Sequence, residues 1–258
     1  MKKPGLLMLG PLALSLLIAG TAVAVEHKTS SPETVAALEK RIAGEDRKDR
    51  HKARDQYRHP VETLTFFGIE PDMTVVEIWP GGQGGWYKAI LKPFFAEKGK
   101  YIPVPDRSKF PDDLKSVPYG EVDMVLIFRA HGFMIYSDPA QDHVNAVYKM
   151  LRPGGLMAIV DHAGDEGVPQ DPSGRNGYVN ESHYFTMAKK AGFCILAVSE
   201  VNRNPKDTKD HPNGVYSLMP ALWGSKDTEE EEAKWRAIGE SDRFTHKYYK
   251  PEGGACSD

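Results

Sequence analysis

The sequence predicts a doubly wound α/β domain built on a mostly parallel sheet, and three observations carry that expectation. Residues Thr74 to Tyr87 read as a β-branched strand, a turn at Pro80 with four glycines (Gly81, Gly82, Gly84, Gly85), and the start of an amphipathic helix. Apolar runs of strand length then alternate with helix-length segments as far as Val201. Each strand–helix–strand step implies a right-handed crossover, which makes the strands parallel.

The chain has 258 residues, of which 40% are hydrophobic and 27% charged, so it can bury a core in one domain and is not disordered throughout. Its first 24 residues stand apart. Lys2 and Lys3, the apolar run Leu6 to Ile18 and Ala22-Val23-Ala24 have the three parts of a secretory signal peptide, with cleavage expected after Ala24. About a dozen apolar residues fall short of the ~20 that span a bilayer. The mature chain is therefore expected to be exported, periplasmic or secreted, with no stable membrane insertion. Loss of Lys2 and Lys3 from the 33 basic residues, against 36 acidic ones, takes the formal charge from −3 to −5. That balance argues against a nucleic-acid partner. Cys194 and Cys256 are the only cysteines. Export would allow them to pair, but the apolar surroundings of Cys194 favour a small buried hydrophobe. No CxxC or HExxH metal spacing occurs.

Residues 25–58 read as a linker and an N-terminal charged helix. Ser31-Pro32-Glu33 opens a helix, and the alternating charges from Ala43 to Arg58 suggest a solvated one anchored by Tyr57. The domain proper is expected over 59–250. Val61, Leu64 and Phe67 have helical spacing and Gly68 ends that helix. After the central strand and glycine loop come a helix from Trp86 to Phe95 and a short strand from Tyr101 to Val104. Arg107 to Tyr119 is poorly patterned, with a short helix near Asp112 to Val117. Val122 to Phe128 is a buried strand running into Arg129-Ala130-His131. Asp138-Pro139 opens the next helix, Gly154-Gly155 turns into strand Leu156 to Val160, and that strand stops at Asp161-His162. A helix over Asn180 to Ala191 and a strand over Phe193 to Val201 follow. Residues 202–240, with Pro205, Pro212, Pro220 and the acidic run Glu229 to Glu232, form an excursion, and the acidic run reads as a solvated helix start. Arg243 to Tyr249 alternates as a closing strand expected to insert antiparallel, leaving 251–258 as a tail.

The strings V-V-E-I-x-P-G, V-L-I-F-R-A-H and L-R-P-G-G-L-M-A-I-V-D-H, in this order of elements, resemble class I S-adenosylmethionine-dependent methyltransferases. More narrowly, R-x-x-Y-R-H-P before the first strand and W-P-G-G ahead of W-Y resemble an exported group of predicted methyltransferases; the match runs from about Arg54 to Lys250. The resemblance implies a Rossmann-like sheet of seven strands, S-adenosylmethionine as cofactor and methyl transfer to a small-molecule acceptor. It matches Glu77 to the acidic residue ending the first strand, Gly81 to the middle glycine of the cofactor loop, and Gly84 or Gly85 to the last. Gly82 lies within that loop, and Trp79 falls where the first glycine is expected. Asp106, after Pro105, is the candidate for the acid that binds the ribose, although its place beside proline equally suits a turn.

Three strands end in reactive or polar groups: Glu77 and Trp79, Arg129 and His131, Asp161 and His162. If these ends share a rim, they surround the cofactor. A protic methyl acceptor needs positioning and a base. His131 is the first candidate, since an imidazole titrates near neutral pH, with His162 and His59 next and Asp161 able to orient an imidazole. Arg129 falls on the cofactor side, and Tyr57 and Tyr87 are candidates to close over the substrate. A second reading keeps the fold without methyl transfer and uses His59, His131, Asp161 and His162 for a small ligand or a metal.

Overall fold

A computed structural model of the chain describes residues 26–81, 85–105, 110–111, 114–129, 140–224, 228–254 and 256. The expected leader over 1–24 lies outside them, as do Gly82, Gly84, Asp106 and His131.

The strands β1 (Thr74–Ile78), β2 (Lys100–Val104), β3 (Val122–Ile127), β4 (Leu151–His162), β5 (Cys194–Ser199) and β6 (Arg243–Tyr249) form one sheet in the order β2-β1-β3-β4-β6-β5. The first four are mutually parallel, and β6 runs antiparallel to both β4 and β5. The last strand thus inserts antiparallel beside its predecessor, as its late arrival predicts. The sheet has six strands among the described residues where the resemblance implies seven. Between β2 and β3 the described residues form only bends and turns, which also replace the expected helix near Asp112 to Val117 over its described part. Pro111 and Pro118 withdraw two backbone donors from any strand there.

Both faces of the sheet are covered, which is why its central strands read as continuous apolar runs rather than alternating ones. Alternate residues point to opposite sides. Val75, Met124, Leu126, Ala158 and Val160 pack under α1 (Pro32–Ala43), α4 (Pro60–Phe67) and α5 (Lys88–Phe94) through Leu38, Leu64, Phe67, Ile90 and Leu91. Val76, Val125, Ile127, Met157 and Ile159 pack under α6 (Ala140–Met150) and α7 (Glu181–Ala191) through Val144, Val147, Tyr184 and Ala188. In the excursion, α8 (Glu229–Ile238) begins with the acidic run, and its Thr228 side chain accepts from the Glu231 amide at 3.1 Å. Carboxylates there face the positive end of the helix dipole.

The charged stretch before the domain is not a solvated helix. It forms two short helices, α2 (Asp49–Lys52) and α3 (Asp55–Arg58), and Arg47 is only 2% exposed. Both terminal nitrogens of Arg47 donate to Asp55 at 2.7 Å, and the guanidinium lies 5.5 Å from the Trp86 ring centroid. A run of alternating charge has the same composition whether water or a partner satisfies it, so this burial could not be read from the run alone.

Two ties bind the ends of the chain to the sheet. Fully buried Lys247 of β6 donates to the carbonyls of Lys28 (2.7 Å), Phe66 (2.8 Å) and Phe67 (3.3 Å). Cys194 at the start of β5 is disulfide-bonded to Cys256 in the tail.

Candidate functional site

The chain leaves β1 for β2 on one side and later returns to β3 on the other, so β1 and β3 flank the point at which the strand order reverses. In an open α/β sheet the crevice beyond the strand ends at that point is where ligands bind. The glycine loop opens there.

The turn out of β1 is made by Trp79, whose φ of 49° is left-handed. That conformation costs an ordinary residue about 1–2 kcal/mol and is free to glycine, which gives a physical reason for expecting glycine here. The Trp79 amide still donates to the Val104 carbonyl at 2.8 Å, prolonging the β1–β2 ladder by one bond. Its indole is 5% exposed and meets Phe110 and His143 edge-on, at centroid distances of 6.0 and 5.7 Å. This aromatic packing offsets the backbone cost and places the indole on the α6 side of the sheet.

Arg129, just beyond β3, reaches across the crevice. Its Nη2 donates to the carbonyls of Trp79 (2.8 Å) and Gly81 (3.1 Å), fixing the first part of the loop from the opposite lip. A methyl group added at Gly81 would meet no atom of the described residues within 4 Å. Gly85, at φ 67°, ends the loop against Pro80 and Lys88, where a side chain would not fit.

Glu77 lies beneath the loop, 2% exposed, on the α5 face of β1. Burial raises its pKa to about 7 against the opposing effects of a hydrogen bond from Tyr101 and the charges of Arg129 and Lys88.

Asp161 and His162 end β4 beside the first residues of β6, and Asp161 Oδ1 accepts from the His162 amide at 2.8 Å. His162 Nδ1 is hydrogen-bonded to the Ser241 hydroxyl. His59 sits at the junction of α3 and α4 with φ 39°. Among the described residues, no three His, Cys, Asp or Glu side chains converge to hold a metal ion.

Tyr57 and Tyr87 flank a cluster to which the sequence reading assigned no role, although Arg54 and Arg58 lie in the R-x-x-Y-R-H-P string. Glu240, 4% exposed, accepts from Arg54 Nε (2.5 Å) and Arg58 Nε (2.9 Å) and pairs with Arg243 Nη1 (3.1 Å). These cations hold its carboxyl down at about 2 against the effect of burial, which acts to raise it. Tyr87 opens α5, its ring stacked on Phe128 at 3.3 Å, and burial pushes its hydroxyl up to about 12. Arg54 and Arg58, four residues apart, could have been paired on one helical face from sequence. Glu240 and Arg243, more than 180 residues later, carried no such signal.

No family model matches the chain, and no curated protein sequence matches it. Among solved structures, it is similar to a SAM-dependent methyltransferase from Aquifex aeolicus, with 16% identity, TM-score 0.48, 84% of this chain and 98% of that one covered. It is also similar to Haemonchus contortus phosphoethanolamine N-methyltransferase 2 in complex with S-adenosyl-L-methionine, with 14% identity, TM-score 0.43 and coverage of 84% and 56%. The [4+2]-cyclase SpnF gives 13% identity, TM-score 0.45 and 89% coverage of both chains. At these values the fold rests on the strand order of the chain itself.

Proposed function

We propose that this chain binds S-adenosylmethionine in the crevice above β1 and transfers its methyl group to a small-molecule acceptor. The observation that carries the reading is the glycine loop at the strand-order reversal, clear of the described residues above Gly81 and held from β3 by Arg129. The residues fit the cofactor in kind. Backbone groups of the loop at Gly81 can be approached closely, and the Arg129 guanidinium suits the carboxylate of an amino-acid moiety. Glu77 supports the loop from below, and Asp106 and His131 are proposed for the ribose hydroxyls and for the acceptor's proton. The cofactor supplies an electrophilic methyl on a sulfonium, so the protein's part is to align the acceptor, exclude water and take up a proton. His162 and Asp161 on the same rim, with His59, are the further candidates for that proton.

Export belongs to the same proposal. The amino-terminal signal-like pattern supports it, and the Cys194–Cys256 disulfide suits an oxidising compartment.

The test is calorimetric titration of protein starting at Val25 with S-adenosylmethionine and S-adenosylhomocysteine, alongside Gly81→Val. The valine side chain enters space that none of the described residues occupies, so the variant should keep its melting temperature while losing at least tenfold in affinity. Absence of heat from folded wild-type protein at millimolar cofactor would sink the reading and leave the fold to a function without this cofactor.

A further inference from the structure

We propose that Arg54, Arg58, Arg243 and Tyr87 form a binding site for an oxyanion, the carboxylate or phosphate group of the methyl acceptor. Only the assignment to the acceptor rests on the methyl-transfer reading; the anion site stands on its own geometry.

Three guanidinium groups surround one carboxylate, leaving two positive charges in excess. Glu240 is already fully engaged: one oxygen takes Arg54 Nε, and the other takes Arg58 Nε and Arg243 Nη1. Arg54 and Arg58 spend only their Nε atoms in this way, and among the described residues their terminal nitrogens have no hydrogen-bond acceptor. Their side chains, 12% and 17% exposed, can be reached from solvent. Arg243 donates one terminal nitrogen to the Tyr57 carbonyl, and its buried Nε has no partner among the described residues.

The second observation is the Tyr87 hydroxyl, which is buried and has no hydrogen-bond partner among the described residues, in a residue 4% exposed. It lies within electrostatic reach of Arg54, Arg58, Arg243 and Glu240. A buried donor left unpaired is costly, and so is a buried surplus of like charge. A bound oxyanion removes both costs together, accepting from the guanidinium forks and from the phenol.

The position fits an acceptor site. Tyr87 follows the glycine loop by two residues and stacks on Phe128, next to Arg129, while Arg243 pairs with His162 on the same rim. A ligand anchored here by its anionic end extends toward the mouth of the crevice without competing for the loop. The Trp86 ring, 5.1 Å below the Arg58 guanidinium, and the bond from its Nε1 to the His51 carbonyl hold the floor in place.

The experiment follows thermal shift and calorimetry of the cofactor-free protein with inorganic phosphate and with succinate. Wild type should bind at least one of them and be stabilised by it, and the tighter one names the anionic group of the acceptor. Tyr87→Phe keeps the ring stack and removes the orphan hydroxyl, so its unliganded melting temperature should equal or exceed wild type while its anion affinity falls about tenfold. Arg54→Gln should weaken binding further. Arg152→Gln, whose arginine pairs with Asp123 at the opposite end of the strands, should bind as wild type does. No binding of either anion by wild type, or equal binding by Tyr87→Phe and Arg54→Gln, would overturn the site. Cofactor titration is read separately, so loss of one result leaves the other standing.

Discussion

The Tyr101 hydroxyl donates its hydrogen bond to the Glu77 carboxylate across the β1–β2 pair, on the face of the sheet that lies under α5. A carboxylate with that single neutral donor, sealed from water, holds its proton to a higher pH than it does in the unfolded chain.

The consequence is a pH dependence of stability with a definite sign. Glu77 titrates near 7 when folded and near 4.5 when unfolded, so between those values the native state binds more protons. Its contribution is therefore fully present below pH 4.5 and is lost as pH rises through 7. Glu77→Gln should match wild type near pH 4.5 and exceed it at pH 8 by about 2–3 kcal/mol. Urea denaturation at the two pH values measures this; a difference that stays constant would contradict the burial argument.

Arg129 should control the order of the loop it spans. Arg129→Ala removes two charge-assisted bonds to the Trp79 and Gly81 carbonyls. Amide exchange at Trp79, whose N–H is bonded to the Val104 carbonyl, should quicken about tenfold, the equivalent of ~1.4 kcal/mol, with the rest of the sheet unchanged. Exchange rates equal to wild type would show that the loop is held by something else.

Lys247 should prove more important to stability than any surface lysine. Lys247→Met keeps the buried volume but leaves the carbonyls of Lys28, Phe66 and Phe67 without their shared donor. A loss of about 2–4 kcal/mol is expected, together with faster proteolysis around Lys28. A variant with an unchanged urea midpoint and unchanged cleavage would remove this tie from the account.

The elements that sequence revealed are those whose signal is local. Thr74 to Ile78, Val122 to Ile127 and Arg243 to Tyr249 declare themselves by composition and period, because burial on both faces, or pairing between two strands, leaves a mark on every residue of the run. Trp79 was visible as a departure from glycine. Which way its indole would turn was not, since that depends on Phe110 and His143, contributed by other segments. The Glu240 cluster was invisible for the same reason. Arg54 and Arg58 come from the opposite end of the domain to Glu240 and Arg243, and a paired arginine is spelled like a solvated one. The six strands of the described residues are the six that the sequence itself patterns, whereas the seventh came only from the superfamily resemblance and had no strand-like run behind it.

The bond between Cys194 and Cys256 makes a closed ring of the chain from β5 to the tail, and the whole excursion before β6 lies inside it. A protease that cuts the excursion once opens the ring without releasing a fragment. The two pieces remain joined by sulfur, and β6 remains a partner of both β4 and β5 on the carboxyl-terminal piece. Such a nicked molecule migrates at full mass until a reductant is added. Survival after cutting is therefore built into the edge of the sheet, where β5 and the tail are joined.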